Sequence, residues 1–253
     1  MKNRIKKVMS AKDGWEIVSN DYPRYRTLND YTELPVVKKL LKNIKGKKVL
    51  DAGCGIGTYC ILTRKKGAKV IGVDLTENMI RLSNLAAEKN KLDIDFRVMD
   101  ITKLKFKEET FDIVLCMGMI DVVKDYKKAI SELSRVLKSG GKLIFSIWHP
   151  WIGSWEIENG KPTYYKIENY FATGTNNEFW DSESKGPLMV EAYHRTLGDF
   201  SSALTKSGFL IKSIHEPKPS KTYKKIDSEW YTKSNKIPYF IIIEAIKLEG
   251  KDQ

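Results

Sequence analysis

Residues 49–57 read VLDAGCGIG, an apolar run that ends in Asp51 and is followed by glycines at positions 53, 55 and 57. This pattern predicts a buried strand that enters a helix through a turn in which the backbone lies close to a ligand. A dinucleotide-binding turn would have its third glycine at position 58, where this chain has threonine. A carboxylate beside the turn also disfavours a pyrophosphate. The sequence therefore favours a ligand that carries positive charge and no phosphate.

Strand and helix patterns alternate from residue 46 to residue 147. Strands are predicted over 47–53, 68–74, 94–100, 111–117 and 142–148, and helices over 59–67, 77–90 and 126–141. An amphipathic helix predicted over 34–46 leads into the first strand. Further on, a helix at 196–208 begins with Thr196 and Asp199 as a capping box and precedes two closing strands at 209–217 and 237–248. The alternation predicts an α/β fold: a doubly wound, mostly parallel seven-stranded sheet with helices on both faces.

The chain divides into four segments. They are an N-terminal helical leader at 1–45, the sheet core at 46–147, an aromatic-rich insert at 148–195, and the closing helix and strands at 196–253. The insert is too rich in aromatic residues to be disordered, and so long a connection is uncommon unless it is functional. We expect it to cover the site as a lid, with a purely structural cap as the alternative. The leader around Trp15, Tyr25 and Tyr31 should close the other side.

Four ordered motifs make residues 47–148 resemble the core of the class I S-adenosylmethionine (SAM)-dependent methyltransferases. VLDAGCGIG is similar to the D/E-x-G-x-G-x-G turn of that family, and Asp74 in IGVD to its ribose-binding acid. Asp100 and Ile101 match the position that meets the adenine. FDIVLCMG and LSRVLKSGGKLIFS match the fourth strand and the helix-turn-strand that follows. The resemblance implies SAM as methyl donor and S-adenosylhomocysteine (SAH) as product.

The same resemblance implies a set of cofactor-binding residues spread over the turn, the strand ends and the leader. They are Asp51, Gly53, Cys54, Gly55, Gly57, Asp74, Leu75, Met79, Asp100, Ile101, Met117, Tyr25 and Tyr31. A single carboxylate at Asp74 can accept hydrogen bonds from both ribose hydroxyls. Two of the acids have structural alternatives: Asp51 could only shape the turn, and Asp100 could only cap the segment that follows it.

Candidate groups for the chemistry stand after the predicted strands, where doubly wound sheets form their sites. His194, His149 and Asp121 are the catalytic candidates, and Trp148, Trp151, Tyr193 and Arg195 are the substrate-binding candidates. A positioned histidine is suited to act as a general base, and an arginine to pair with a carboxylate or phosphate. The alternatives are histidines that hydrogen-bond to the backbone at loop corners and an arginine in a surface salt bridge.

Composition limits the partners. Lysine and arginine exceed the acids to give a net charge of +12, which could mark a nucleic-acid partner, but the excess is mostly lysine spread along the chain. No cysteine spacing suggests zinc, and we expect no metal. The apolar runs are too short to span a membrane, and the N-terminus lacks the apolar core of a signal peptide, so we expect a cytoplasmic protein.

The sequence leaves three functions open. The favoured one is a methyltransferase that acts on the oxygen, nitrogen or carbon of a small-molecule acceptor held under the aromatic insert. The others are an RNA-modifying methyltransferase with a basic surface and a SAM-binding module without turnover. After the fourth strand the chain reads CMGM and not the N/D-P-P-Y/F motif of base-amino methyltransferases. No Pro-Cys pair for cytosine chemistry is present either, so DNA base methylation is disfavoured.

Overall fold

A computed structural model describes residues 8–22, 27–151, 154–158, 161–166, 169–180, 182 and 185–249. The first half of the chain alternates between helices and strands. In order they are α1 (Ala11–Val18), α2 (Thr27–Leu40), β1 (Lys48–Ala52), α3 (Thr58–Lys65), β2 (Lys69–Asp74), α4 (Glu77–Lys89), β3 (Asp95–Val98), β4 (Phe111–Met117), α5 (Tyr126–Val136) and β5 (Leu137–Trp148). A single 3-10 turn, Ile120–Val122, follows β4.

In the described part of the insert there are six short strands, and the closing segment adds two helices and two strands. These elements are β6 (Ser154–Glu158), β7 (Lys161–Lys166), β8 (Gly174–Thr175), β9 (Glu178–Trp180), β10 (Leu188–Val190), β11 (Tyr193–His194), α6 (Leu197–Lys206), β12 (Phe209–His215), α7 (Ser228–Lys236) and β13 (Phe240–Lys247). A 3-10 helix, Lys221–Lys225, precedes α7.

Seven strands form one sheet in the order β12-β13-β5-β4-β1-β2-β3. Neighbours among β1 to β5 pair in parallel, and β13 runs antiparallel to both β5 and β12. The sequence prediction of a doubly wound, mostly parallel seven-stranded sheet is confirmed. The chain reverses direction along the sheet between β1 and β4, so the carboxyl ends of these two strands border the crevice where such sheets bind ligands.

Apolar side chains cover both faces of the sheet. One cluster includes Leu133, Phe145 and Phe200 and packs α5 and α6 on one face, while the other includes Val37, Cys60 and Ile80 and packs α2, α3 and α4 on the opposite face. Burial of these side chains drives the assembly of the layers. The helices therefore hold the strand ends, and the loops that follow them, in fixed positions.

Two helix boundaries differ from the sequence prediction. The helix predicted to reach residue 141 ends at Val136, because Leu137 already pairs with Phe111 of β4. The two glycines after it bend the start of β5 instead, and a Cβ on Gly141 would lie 2.6 Å from the Lys138 carbonyl oxygen. The leader helix predicted over 34–46 begins earlier, at Thr27, and ends at Leu40, with Pro35 inside it.

Candidate active site

The glycine turn after β1 is packed on two sides and open on a third. Gly53, Gly55 and Gly57 all have positive φ angles, of +79°, +52° and +81°. A Cβ on Gly53 would lie 2.6 Å from the Met119 side chain, so glycine is required both for its conformation and for this close approach. A Cβ on Gly55 would meet only the Tyr22 ring, at 3.7 Å. The turn therefore has room for a ligand on the Gly55 side.

Asp74 joins this turn to the end of β2. Its Oδ2 accepts a hydrogen bond from the Gly55 amide at 3.0 Å, and its Oδ1 accepts from the amide and the hydroxyl of Thr76 at 3.0 and 2.9 Å. Burial raises the pKa of Asp74, and these hydrogen bonds oppose the shift. Leu75 follows with 40% of its surface exposed, an apolar side chain available to a flat ring. The arrangement fits a ribose and its base.

Asp51 lies beneath the turn. It is fully buried, and its Oδ2 accepts a hydrogen bond from the Cys60 thiol at 3.1 Å. The hydrogen bond with Cys60 lowers the pKa of Cys54. Burial and the charges of Asp51 and Asp74 raise it by more, so that the pKa of Cys54 is about 11. Both thiols are therefore neutral near pH 7. These contacts match the structural alternative for Asp51, a residue that shapes the turn, and its negative charge still favours a cationic ligand.

The remaining predicted cofactor residues of the core are mostly buried. Asp100 caps the segment after β3, because its Oδ1 accepts from the amide and hydroxyl of Thr102, both at 2.8 Å. Met79, Ile101 and Met117 are at most 8% exposed and pack in the protein interior. Asp100 thus caps the segment that follows it, which is the structural alternative considered in the sequence analysis. Its Oδ2 takes no part in these hydrogen bonds.

Asp121 lies in the 3-10 turn after β4, next to the end of β5. Its Oδ2 accepts a hydrogen bond from the Trp148 amide at 3.2 Å, which connects the two strand ends. Burial raises the pKa of Asp121 to about 7, the charge of Glu178 raises it too, and the Trp148 amide and Arg195 oppose the shift. A carboxyl group that exchanges its proton near neutral pH is suited to general-base chemistry.

Arg195 orders the loop around Asp121. Its two terminal nitrogens donate to the carbonyl oxygens of Ile120, Val123 and Lys124, at 3.0, 2.5 and 3.2 Å. The guanidinium also lies 4.2 Å from the ring centroid of Tyr126 and 4.9 Å from that of Tyr193. Only 7% of Arg195 is exposed. These contacts hold the loop in place. Arg195, a candidate for binding a substrate anion, therefore already donates hydrogen bonds to three backbone carbonyls.

Both histidine candidates are hydrogen-bonded to other residues of the protein. His194 Nε2 is 2.8 Å from the Tyr170 carbonyl oxygen. His149 Nε2 is 3.0 Å from a Glu216 carboxylate oxygen, and its Nδ1 accepts from the Trp151 amide at 3.4 Å. Burial lowers the pKa of His149, and Glu216 opposes the shift. His194 thus matches the backbone-bonding alternative, whereas His149 has one backbone partner, the Trp151 amide, and one side-chain partner, Glu216.

Trp148, the last residue of β5, and Trp151 contact aromatic residues at and just before the start of β13. Trp148 packs on Phe240 with ring centroids 4.7 Å apart, and Trp151 lies 5.9 Å from Tyr239. Tyr239 in turn lies 5.4 Å from Trp230 of α7. The aromatic residues of this part of the insert therefore form a wall at the β5–β13 side of the sheet.

The leader and the insert share a small apolar core, which we call the cap. Met9, Trp15 and Val18 of the leader pack with Trp180, Leu188 and Val190 of the insert. The Trp15 ring lies 4.4 Å from that of Trp180 and 5.1 Å from that of Tyr22, the residue opposite Gly55. Tyr31 instead stacks on Tyr223 at 5.7 Å. Tyr25, also expected near the cofactor, lies outside the described residues.

Glu16 ties the cap to the cofactor side of the sheet. Its carboxylate accepts from the backbone amides of Glu77 and Asn78 at 2.9 and 3.2 Å, at the start of α4. A carboxylate is favoured at a helix N-terminus. Thr76, the N-cap residue, gives its hydroxyl to Asp74 instead of to its own helix. The leader thus completes the helix that begins beside the ribose candidate.

Sequence reasoning missed four residues of this region: Glu16, Tyr22, Met119 and Glu178. None belongs to a motif. Glu16, Tyr22 and Met119 reach the site through contacts between segments distant in sequence, whereas the hydrogen bond of Glu178 is to Trp180, within the insert. The part of the chain that the structure describes holds no group of three or more metal-ligating side chains. Nor does any helix within it have the length and apolar character needed to cross a membrane.

Comparison with known proteins agrees with this geometry. A family model described as "Methyltransferase domain" matches residues 50–145. An uncharacterised protein of Haemophilus influenzae is 32% identical over 203 residues, which cover 76% of this chain and 78% of that protein. The crystal structure of an S-adenosylmethionine-dependent methyltransferase from Mesorhizobium loti has a TM-score of 0.69 and 27% identity, over 85% of this chain and 97% of that one.

Ubiquinone biosynthesis O-methyltransferase of Coxiella burnetii is 40% identical over 136 residues, which cover 54% of this chain and 57% of that enzyme. The fold, the glycine turn and these relatives define the class: the chain belongs to the class I SAM-dependent methyltransferases. It is an enzyme, and its methyl donor is SAM. Gly53 to Gly57, Asp74 and Leu75 remain the predicted contacts of this donor.

Proposed function

We propose that this enzyme methylates a small-molecule acceptor held between the carboxyl ends of β4 and β5 and the cap. The observation that carries the proposal is the pair of acids on the two sides of the strand crevice. Asp74 is hydrogen-bonded into the glycine turn, and Asp121 lies at the neighbouring strand ends with a pKa of about 7. One acid suits the donor's ribose, and the other suits the acceptor's proton.

SAM supplies an activated methyl group, so the protein needs mainly to hold the two reactants together and, for some acceptors, to take up a proton. The open side of Gly55 would receive the donor, and the leader residue Tyr22 would cover it. The shared core of the leader and the insert supports a lid that excludes water from both reactants.

One relative and the aromatic wall of the insert support a class of acceptor. The name of the Coxiella burnetii relative describes O-methylation in ubiquinone biosynthesis. By analogy, a cyclic hydroxyl compound is the first acceptor to try, and the aromatic wall of Trp148 and Trp151 would suit a flat ring. The alternative with RNA as acceptor rests on the net charge of +12 alone.

Release of SAH from SAM, measured with a panel of phenols, hydroquinones, aliphatic amines and transfer RNA, tests the proposal. We expect turnover with a hydroxyl or amine compound and none with RNA. Turnover with RNA alone would refute the small-molecule proposal. SAM binding without turnover on any member of the panel would favour the module without activity.

A further inference from the structure

Residues 34–73 hold most of the net positive charge of the chain. This range contains ten lysine and arginine residues and one acid, Asp51, which is buried beneath the glycine turn. It leaves 34 of the 44 basic residues and 31 of the 32 acidic residues to the rest of the chain, which is therefore nearly balanced. The excess of lysine is thus concentrated in one range, contrary to the expectation from composition that it is spread along the chain.

The fold gathers these side chains at the amino ends of β1 and β2. The amides of Gly46 and Lys69 donate to the carbonyl oxygens of Gly67 and Lys47 at 2.9 and 2.8 Å, which joins the segment before β1 to the segment before β2. Lys48, the first residue of β1, lies in register with Lys69, the first residue of β2. We call this surface the basic end, and define it by the exposed Lys38, Lys42, Lys45, Lys47, Lys48 and Lys69.

Two other lysines meet the structural need for positive charge at this end of the sheet. The Lys66 Nζ donates to the carbonyl oxygens of Lys38 and Leu41 at 3.2 and 2.9 Å, and the Lys142 Nζ donates to that of Leu40 at 3.1 Å. Cations are favoured at the carboxyl end of a helix, and these two complete the end of α2. The six side chains of the basic end are not used for this purpose.

The charge of the basic end is not paired within the protein. In the part of the chain that the structure describes, no ion pair includes any of its six lysines. The acids Asp112 and Glu244 of the neighbouring strands pair with Lys138 and Lys142 instead, both at 2.8 Å. Like charges held together repel one another and oppose the compact state. An anionic partner would relieve this repulsion.

The chemistry of the basic end selects among anionic partners. A lysine ammonium group is a point charge that suits a phosphate oxygen. Between residues 34 and 73 no large apolar side chain is exposed, so the surface has nothing to insert into a bilayer. The one aromatic residue of this range, Tyr59, is buried and offers no ring for a base to stack on. We propose that the basic end binds the phosphate backbone of a nucleic acid without reading its bases.

The basic end and the glycine turn lie at opposite ends of β1. The strand begins at Lys48, and the turn begins at Gly53. A strand rises about 3.3 Å per residue, so about 16 Å separate the two. A nucleic acid bound at the basic end is therefore a docking partner and not the methyl acceptor. The proposal goes beyond the proposed function and does not depend on which acceptor the enzyme methylates.

Fluorescence anisotropy over a series of salt concentrations tests the proposal on the full-length protein. The probes are a labelled DNA duplex and an RNA duplex of the same sequence. The test variant combines Lys42→Gln, Lys45→Gln, Lys48→Gln and Lys69→Gln. The control replaces by glutamine four exposed lysines of the closing segment, which changes the net charge equally: Lys206, Lys218, Lys221 and Lys224. A third variant has arginine at the four test positions and so keeps their charge.

We expect the wild type to bind both duplexes with an affinity that falls as the salt concentration rises. Each phosphate contact contributes about 0.9 to the slope of log affinity against log salt, so the test variant should lose about 3 to 4 from this slope. Its affinity at low salt should fall about tenfold or more. The control and the arginine variant should keep the wild-type slope to within about 1.

Three results would overturn the proposal: no duplex binding by the wild type, equal losses in the test variant and the control, or binding to phosphatidylglycerol vesicles in place of the duplexes. SAH release with a duplex as the only acceptor would also overturn it, because the nucleic acid would then be a substrate. Calorimetric SAH affinity, measured on the same samples, should be the same in all variants. A folded test variant that has lost SAH affinity would contradict the separation of the two sites.

Discussion

Replacement of Asp74 by alanine should weaken donor binding more than any other single change at the glycine turn. The Asp74 carboxylate accepts three hydrogen bonds within the protein, and both of its oxygens lie at the end of β2 where a ribose would bind. Loss of two charge-assisted hydrogen bonds to ribose hydroxyls costs about 2 kcal/mol or more, which corresponds to about 30-fold in Kd. Isothermal titration calorimetry with SAH measures this change directly.

Two further variants separate the ribose contact from damage to the turn. Asp74→Asn keeps an oxygen that can accept from the Gly55 amide, so it should bind SAH with an affinity between those of the wild type and Asp74→Ala. Asp95→Ala is the matched control, since Asp95 is an exposed aspartate of β3 that pairs with Arg97. If Asp74→Ala is folded and binds SAH as tightly as Asp95→Ala, the assignment of Asp74 to the ribose is refuted.

Three other changes probe the turn, the cap and the acid near β4. Gly53→Ala should lower the unfolding free energy measured in urea by about 1–3 kcal/mol, because the φ of Gly53 is +79° and the new Cβ would meet Met119. Gly46→Ala, where a Cβ would have nothing within 4 Å, should cost only the backbone strain, and equal losses in the two variants would count against the close approach of Gly53 to Met119. Trp15→Ala should speed proteolysis of the leader and lower SAH affinity, since it removes the ring between Trp180 and Tyr22, and an unchanged cleavage rate would argue against the cap. Asp121→Asn should stabilise the fold by about 1–2 kcal/mol more at about pH 8 than at about pH 4.5. A carboxyl whose folded-state pKa is raised to about 7 destabilises the fold progressively as the pH rises from about 4 to about 7, and by a constant amount above that; a pH-independent difference in thermal unfolding would contradict the raised pKa.

The sequence was sufficient for the sheet, and for the position of the glycine turn beside the acid after β2, because both depend on local signals. Strand and helix periods, the glycine spacing and the acid after β2 are read within short windows, and the structure has them in the expected order. The end of the helix before β5 was predicted wrongly because the prediction used local signals alone. Its two glycines suit a helix end, but pairing of Leu137 with Phe111, a residue 26 positions earlier, ends the helix before them.

The acceptor side could not be derived in the same way. Arg195 was a reasonable candidate for an anion site until its three backbone carbonyl partners, all more than 70 residues away in sequence, became visible. Glu16 and Tyr22 can be placed only from contacts of the leader with the start of α4 and with the glycine turn. Such residues belong to no repeat or motif, so tertiary structure alone identifies them.

A crystal structure of the enzyme with SAH tests the central claim most directly. The account predicts that the ribose hydroxyls contact Asp74, that the methionine part lies along Gly53 to Gly57, and that the sulfur faces the crevice bordered by Asp121. It also predicts Tyr22 over the bound molecule. SAH bound elsewhere, or a glycine turn that stays without density at saturating SAH, would contradict the account.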